Sequence, residues 1–79
     1  MKPTTGLVSR SGIVPISSSQ DTAGPMGANV DIVAKTLEVI AGYDENDPAT
    51  SFIPKDFDFS FSNATKNISL NGVRLGLLD

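Results

Sequence analysis

The feature that most constrains the fold is one amphipathic helix in a chain of 79 residues that turn-forming residues otherwise interrupt. Between residues 30 and 41, apolar side chains recur at the spacing of one helical face, which predicts an α-helix over this range. These side chains are Val30, Val33, Ala34, Leu37, Ile40 and Ala41. Asn29 suits the N-cap, because its side chain can accept a hydrogen bond from a first-turn amide. Gly42 can adopt the left-handed conformation that closes a helix.

The segments on either side of this helix resemble short strands and loops. Two aliphatic pairs, Leu7-Val8 and Ile13-Val14, predict short strands, and the small polar residues of 17–27 predict a loop. The predicted divisions are strands and a loop over 1–27, the helix over 28–42, irregular or extended chain over 43–69, and a buried strand cut at the C-terminus over 70–79. We therefore expect an α+β fold of a few short strands and one packing helix, which is part of a larger domain and not a complete one.

Two clusters of side chains after the helix could mark a site, and for both a structural role is favoured. The carboxylates of Asp44, Glu45 and Asp47 could hold a hard cation, but they lack the spacing and the glycine of an EF-hand loop. We expect a solvated surface turn there. The three rings at 57, 59 and 61 follow period two, which predicts one buried face of an extended segment. Exposure of these rings in an isolated piece of a protein remains an alternative.

The composition excludes several kinds of chemistry. The sequence contains no histidine and no cysteine, so imidazole or thiolate metal sites and Ser–His–Asp or Cys–His machinery are absent. Serines 17–19 need a base, and none of the four lysines lies in a context that marks it as one. We therefore predict no catalytic residue, no metal ligand and no cofactor within the chain.

Charge, hydropathy and size narrow the range of partners. Nine acidic and six basic residues give a net charge of −3, which argues against nucleic-acid binding. No apolar run approaches the roughly 20 residues of a membrane helix, and the first residues lack the apolar stretch of a signal peptide, so we expect no membrane contact and a cytoplasmic location. So small a chain without disulfides rarely encloses its own core. A homo-oligomer is therefore predicted.

Four motifs, in order, resemble segments of the amidase signature family. Residues 2–9 resemble its K-P-T-x-G-x-V-S run, and residues 12–26 resemble G-I-x-P-x-S-x-S-x-D-T-x-G-P-M. Residues 41–50 resemble A-G-Y-D-x-x-D-P-A-T, and residues 70–77 are similar to an L-x-G-x-R-I-G-V segment that begins a strand. The resemblance covers nearly the whole chain and is weakest between these last two motifs.

The resemblance implies hydrolysis or transfer of amides through a serine acyl-enzyme, with a second serine and a lysine as partners. In the family all three lie upstream of the Lys-Pro-Thr run, so this chain would be a non-catalytic piece of a larger amidase and inactive alone. Asp21 matches the family's aspartate and is expected to brace the glycine-rich loop whose amides form the oxyanion hole. Gln20 is expected to reach the edge of the substrate pocket. The remainder of the amidase would be the partner.

Two departures and two alternatives qualify this assignment. Ala28 and Ile32 stand where the family usually has an arginine and a helical acid, which puts the ion pair between them in doubt. The Gln20-Asp21-Thr22 sequence is nearer to general amidases than to glutamyl-tRNA amidotransferase A subunits, although a piece of such a protein remains an alternative. The other alternative is a stand-alone structural or interaction module derived from the amidase fold.

Overall fold

The computed structural model describes all residues from Met1 to Asp79 and contains one α-helix and two short 3₁₀ helices. The α-helix, α1, is Val30–Ile40; the first 3₁₀ helix is Pro48–Phe52 and the second is Phe61–Thr65. The β pairing consists of a single antiparallel bridge between Val8 and Ala41. None of these helices has the length and apolar character needed to cross a membrane.

Helix α1 forms for the local reasons that the sequence indicates. The side chain of Asn29 accepts a hydrogen bond from the backbone N–H of Ile32 at 2.9 Å, which caps the helix. Lys35 Nζ lies 2.8 Å from Asp31 Oδ2 one turn earlier. The helix ends one residue sooner than predicted, because Ala41 is extended, with φ −78° and ψ 147°, and pairs with the N-terminal segment.

The core of this chain is small, since only eight of the 79 residues are buried. Ala34 and Leu37, at the centre of the helical stripe, are 8% and 5% exposed, and Val8 is 4% exposed. The two ends of the stripe are open to solvent, because Val30 is 71% and Ile40 is 37% exposed. The predicted stripe is thus correct as a helical face, but this chain covers only its middle.

The second 3₁₀ helix packs against α1. Glu38 Oε1 accepts hydrogen bonds from both the backbone N–H and the hydroxyl of Ser62, each at 2.7 Å. The three neighbouring phenylalanine rings cluster with one another, with centroids 4.9 to 6.3 Å apart. The predicted extended segment is wrong at its end, because Phe61 begins a helix. The rings contact one another around this bend rather than along one face of a strand.

The predicted strand over residues 70–79 is not formed. Val73 N donates to Leu70 O at 3.0 Å and closes a turn, but no residue after it pairs with another segment, and Leu77 and Leu78 are 95% and 99% exposed. A strand needs a neighbour for its backbone N–H and C=O groups, and no other segment of this chain supplies one. For the same reason the strands predicted near residues 7 and 13 are reduced to the Val8 bridge. The α+β assignment stays a prediction.

Candidate functional site

Asp21 organises the turn of residues 16–21, which we call the serine turn. Its Oδ2 accepts hydrogen bonds from the backbone N–H groups of Ile16 at 2.8 Å and Ser17 at 3.0 Å. These two hydrogen bonds hold the pKa of Asp21 below its ordinary value. Gln20 N donates to Ser17 O at 3.1 Å, while the Gln20 side chain is exposed and makes no hydrogen bond. The structure therefore shows Asp21 bracing a turn and Gln20 free at its surface.

The side chains of Asp44 and Asp47 are shielded from solvent and hydrogen-bonded to other residues, which corrects the prediction of a solvated turn. Asp47 is 5% exposed and caps the first 3₁₀ helix, accepting from Ala49 N at 3.1 Å. Asp44 is half-buried and accepts a hydrogen bond from the hydroxyl of Ser9. The prediction holds for Glu45, which is exposed. An Asp followed by Pro is typical of the N-cap and first position of a helix. This sequence signal could have identified Asp47 as the cap of the first 3₁₀ helix.

Arg10 joins residues 44–47, which we call the acidic turn, to the serine turn. Its backbone N and its Nε donate to Asp47 Oδ2 at 2.8 and 3.3 Å, and Nη2 donates to Asp47 Oδ1 at 3.4 Å. Its Nη1 donates to Ser18 O at 2.6 Å. The planar guanidinium can satisfy both partners at once, since it presents several donors in a fixed plane. Arg10 therefore links Asp47 to the backbone of Ser18.

The charge of Asp47 is maintained by the same contacts. Hydrogen bonds from the side chain and then the backbone of Arg10 are the largest influences that lower the pKa of Asp47. Asp44 likewise has a lowered pKa, first because of the hydrogen bond from Ser9. Both carboxylates are therefore ionised at neutral pH. The sequence pattern gave no signal for the pairing of Arg10 with Asp47, because the two residues are 37 positions apart.

Thr50 holds the acidic turn from inside. Its side chain is the largest fully buried one, at 1% residue exposure. Thr50 Oγ1 accepts from Asp44 N at 2.9 Å and lies 2.9 and 2.8 Å from the carbonyl oxygens of Asp44 and Asp47. One hydroxyl proton can be donated to one of these carbonyls at a time. The first 3₁₀ helix thus supports Asp47, which supports Arg10 and through it the serine turn.

The site contains no nucleophile with a base beside it. Ser17 Oγ lies 3.3 Å from Ser19 Oγ, and neither hydroxyl hydrogen-bonds to a lysine or a carboxylate. No group of three or more carboxylates is placed to share a metal ion. Between the serine turn and the acidic turn lies a shallow cavity of about 230 Å³, bordered by Arg10, Ser18 and Asp21. This arrangement holds the backbone groups of the serine turn in place.

The sequence that forms the serine turn and the acidic turn matches one known family. A family model described as Amidase matches residues 1–79, the whole chain. This chain belongs to the amidase family. The resemblance of the four sequence motifs to this family is thereby confirmed. The match also spans the segment between the last two motifs, where the resemblance is weakest. No solved structure matches the chain.

Amidase relatives match the chain closely but are much longer. A protein of Arthroderma benhamiae named "Putative amidase" is 48% identical over 77 residues, which are 98% of this chain and 13% of that protein. The A subunit of the glutamyl-tRNA(Gln) amidotransferase of Rhodopirellula baltica is 46% identical over 78 residues, covering 99% of this chain and 15% of that protein. Its counterpart in Symbiobacterium thermophilum is 47% identical over 77 residues, which are 98% of this chain and 15% of that protein. The chain therefore spans about one seventh of their length.

Proposed function

We propose that this chain is a non-catalytic segment of an amidase that hydrolyses amide C–N bonds through a serine acyl-enzyme. The observation that carries this proposal is the family match over all 79 residues, in a chain whose serines have no base beside them. The nucleophilic serine, its serine partner and the lysine would come from other parts of the enzyme. This segment would act by holding the loop of backbone amides that stabilises the oxyanion.

The geometry of the serine turn supports this positioning role. Backbone donors stabilise a developing oxyanion only if they are held in place before the charge forms. Asp21 holds the turn through two backbone N–H groups, and Arg10 ties the same turn to the buried Asp47. A turn fixed at both points would give the loop of backbone amides a rigid support. Gln20, exposed on this turn, would reach the edge of the substrate pocket.

Isolating the chain tests the absence of catalysis. The purified 79-residue chain is expected to hydrolyse simple amides no faster than buffer, and a fluorophosphonate probe for activated serines is expected not to label it. The buffer without protein and a known serine hydrolase serve as negative and positive controls. Stoichiometric labelling of Ser17, Ser18 or Ser19 would contradict the proposal, because it would place an activated nucleophile in the serine turn.

Transplanting the segment tests its positioning role. In the Arthroderma benhamiae relative, the 77 matched residues would be replaced by this chain, and amide hydrolysis by the chimera would be compared with that of the unmodified protein. Activity should be retained. Asp21→Asn in the chimera should lower kcat by less than the factor on the order of 10²–10³ that loss of an oxyanion-hole donor costs, with little change in melting temperature. Asp31→Asn, in the first turn of α1, is the matched control and should leave kcat unchanged.

Two outcomes of this transplant separate a positioning role from a stabilising one. If Asp21→Asn lowers the melting temperature while kcat per folded molecule is retained, the carboxylate only satisfies nearby backbone amides. If kcat falls at constant melting temperature, the carboxylate positions the catalytic loop. A fall in kcat for both Asp21→Asn and Asp31→Asn would point to general damage to the segment and would contradict a specific role for Asp21.

A place in a glutamyl-tRNA amidotransferase A subunit is a second candidate, favoured by identities of 46% and 47% to two such proteins. The same segment would be exchanged into the Rhodopirellula baltica protein, and formation of the amidated tRNA would be measured. Function in that host together with failure in the fungal relative would favour the second candidate. The reverse result would favour a general amidase.

We also propose that the apolar surfaces exposed on this chain are covered by the rest of an amidase or by a second copy of the chain. Val39 on α1 is 84% exposed, and Leu75 and Leu77 are 80% and 95% exposed. Apolar patches of this kind mark contact surfaces in soluble proteins. In a whole amidase the neighbouring elements would cover them, and in the isolated chain a second copy would do so, which gives a homo-oligomer. A stand-alone interaction module would use the same surfaces.

A further inference from the structure

We propose that Asn71 is a site of spontaneous deamidation, in which the backbone nitrogen of Gly72 closes a cyclic imide on the Asn71 side chain. This modification needs no enzyme and no cofactor. It depends on three conditions: a side-chain amide free of hydrogen bonds, a following backbone nitrogen free to attack, and a neighbour without a side chain. The structure brings all three together in one exposed turn.

The turn leaves both reacting groups accessible. Asn71 N donates to Ser69 Oγ at 3.1 Å and Val73 N donates to Leu70 O at 3.0 Å, so the bonds that close the turn use neither reacting group. The side chain of Asn71 and the backbone nitrogen of Gly72 have no hydrogen-bond partner, and both residues are exposed. Gly72 has φ +78°, and no atom outside residues 71–73 lies within 4 Å of the place where a Cβ would stand.

The reaction balances without an oxidant or a metal. The Gly72 nitrogen loses its proton to hydroxide or buffer and forms a bond to Asn71 Cγ. The bond from Cγ to the side-chain amide nitrogen breaks, and ammonia leaves with the proton that completes it. Water then opens the five-membered imide at one of its two carbonyl carbons. Opening at the backbone carbonyl gives isoaspartate, in which the main chain continues through the former side chain, and opening at the other gives aspartate.

Two other asparagines are held in conformations that oppose this attack. The side chain of Asn29 caps α1 through its hydrogen bond from Ile32 N at 2.9 Å. At Asn46 the attacking nitrogen would be that of Asp47, which already donates a hydrogen bond to Asp44 O at 3.0 Å. Attack at either position would first require these hydrogen bonds to break. Both asparagines should therefore react more slowly in the folded chain than in the unfolded chain.

The two remaining asparagines are protected by the residue that comes next in the chain. Asn63 lies in the second 3₁₀ helix and precedes Ala64, and Asn67 precedes the β-branched Ile68. A side chain on the next residue hinders approach of its backbone nitrogen to the amide carbon, and β-branching hinders it most. Among the five asparagines of this chain, Asn71 alone combines an open turn with a following glycine.

The modification would alter the segment directly after it. Either product adds one negative charge, and isoaspartate also adds one carbon to the main chain just before residues 73–78. If the proposed function is correct and this segment pairs as a strand in the whole amidase, the inserted carbon would shift its register, and a register shift moves every side chain relative to the core. The site would then limit the lifetime of that pairing. The deamidation itself does not depend on the proposed function.

Peptide mapping with mass spectrometry tests the proposal at each asparagine separately. The intact 79-residue chain is incubated in ¹⁸O-labelled water at neutral and mildly alkaline pH, with and without urea. Asn71 should convert several-fold faster than any other asparagine, with one labelled oxygen incorporated and both aspartate and isoaspartate formed. An isoaspartyl carboxyl methyltransferase reports the second product independently. The rate at Asn71 should be nearly the same with and without urea, whereas Asn29 and Asn46 should accelerate in urea.

Matched variants separate the imide route from direct hydrolysis. Gly72→Ala should slow conversion at Asn71 several-fold, and Asn67→Gln should leave that rate unchanged. The proposal is overturned by equal rates at Asn71 and Asn67, by a product that contains aspartate alone, or by strong acceleration of Asn71 in urea. The last result would show that the folded turn protects the site. An unchanged rate in Gly72→Ala would also overturn it, because the absence of a side chain at position 72 would then not be what makes Asn71 reactive.

Discussion

Replacing Thr50 by valine tests whether one buried hydroxyl holds the acidic turn that supports Arg10. Valine has nearly the same shape as threonine, so packing is retained while the hydroxyl is lost. Both carbonyls near the hydroxyl keep another donor, because Asp47 N donates to Asp44 O and Thr50 N donates to Asp47 O, each at 3.0 Å. Only the N–H of Asp44, which now donates to Thr50 Oγ1 at 2.9 Å, is left without a partner.

The expected loss of stability comes from that one orphaned group. A fully buried donor left unsatisfied costs about 1–3 kcal/mol, which is the upper bound for the amide of the half-buried Asp44. In a domain of this size each kcal/mol lowers the melting temperature by about 4–8 °C. Thr50→Ser is the matched control, because it keeps the hydroxyl and removes one methyl group, which costs about 0.8 kcal/mol. We therefore expect the valine variant to be the less stable of the two, although its side chain is the more apolar.

Two measurements check this expectation. Urea unfolding gives the change in free energy for each variant, and hydrogen exchange gives the protection of the Asp44 amide. In Thr50→Val this amide should exchange faster by about 5–150-fold, the ratio that corresponds to 1–3 kcal/mol. Refutation would come from a serine variant less stable than the valine variant, or from unchanged protection of the Asp44 amide. Either result would show that packing, and not the hydroxyl, holds the turn.

Three further predictions concern the core, the carboxylates and association. Leu37→Ala should destabilise the chain by about 2–5 kcal/mol, since the site is 5% exposed, whereas Val39→Ala, at an 84% exposed site, should change urea unfolding little. Hydrogen bonds lower the folded-state pKa of Asp47 below 3.8, so its stabilisation is present above that value and is lost as pH falls through the lowered pKa. Urea midpoints measured against pH should therefore fall in acid, and less so in Asp47→Asn. Sedimentation equilibrium should show a dimer that dissociates on dilution, and a monomer at every concentration would contradict the expected self-association.

The family and the helix could be predicted from the sequence because their signals are local. The cap at Asn29 and the ion pair of Asp31 with Lys35 act within one or two turns of α1, so neighbouring residues suffice to specify them. The hydrogen bonds from Ile16 and Ser17 to Asp21 are also local, since both donors lie within five positions of it, whereas its role towards the oxyanion loop stays a prediction. The family motifs are strings of adjacent residues, and they identify the amidase family without any knowledge of contacts.

Only the tertiary structure decided the long-range parts of the site and the fate of the predicted strands. Asp47 looks like one member of a solvated acidic turn until Arg10, 37 positions away, is placed beside it. The apolar run after Gly72 has the composition of a strand, but it stays unpaired because strand formation requires hydrogen bonds to a neighbour, and the sequence of one segment does not say whether that neighbour is present. A helix satisfies its backbone groups within itself, and so α1 was predictable where the strand and the ion pair were not.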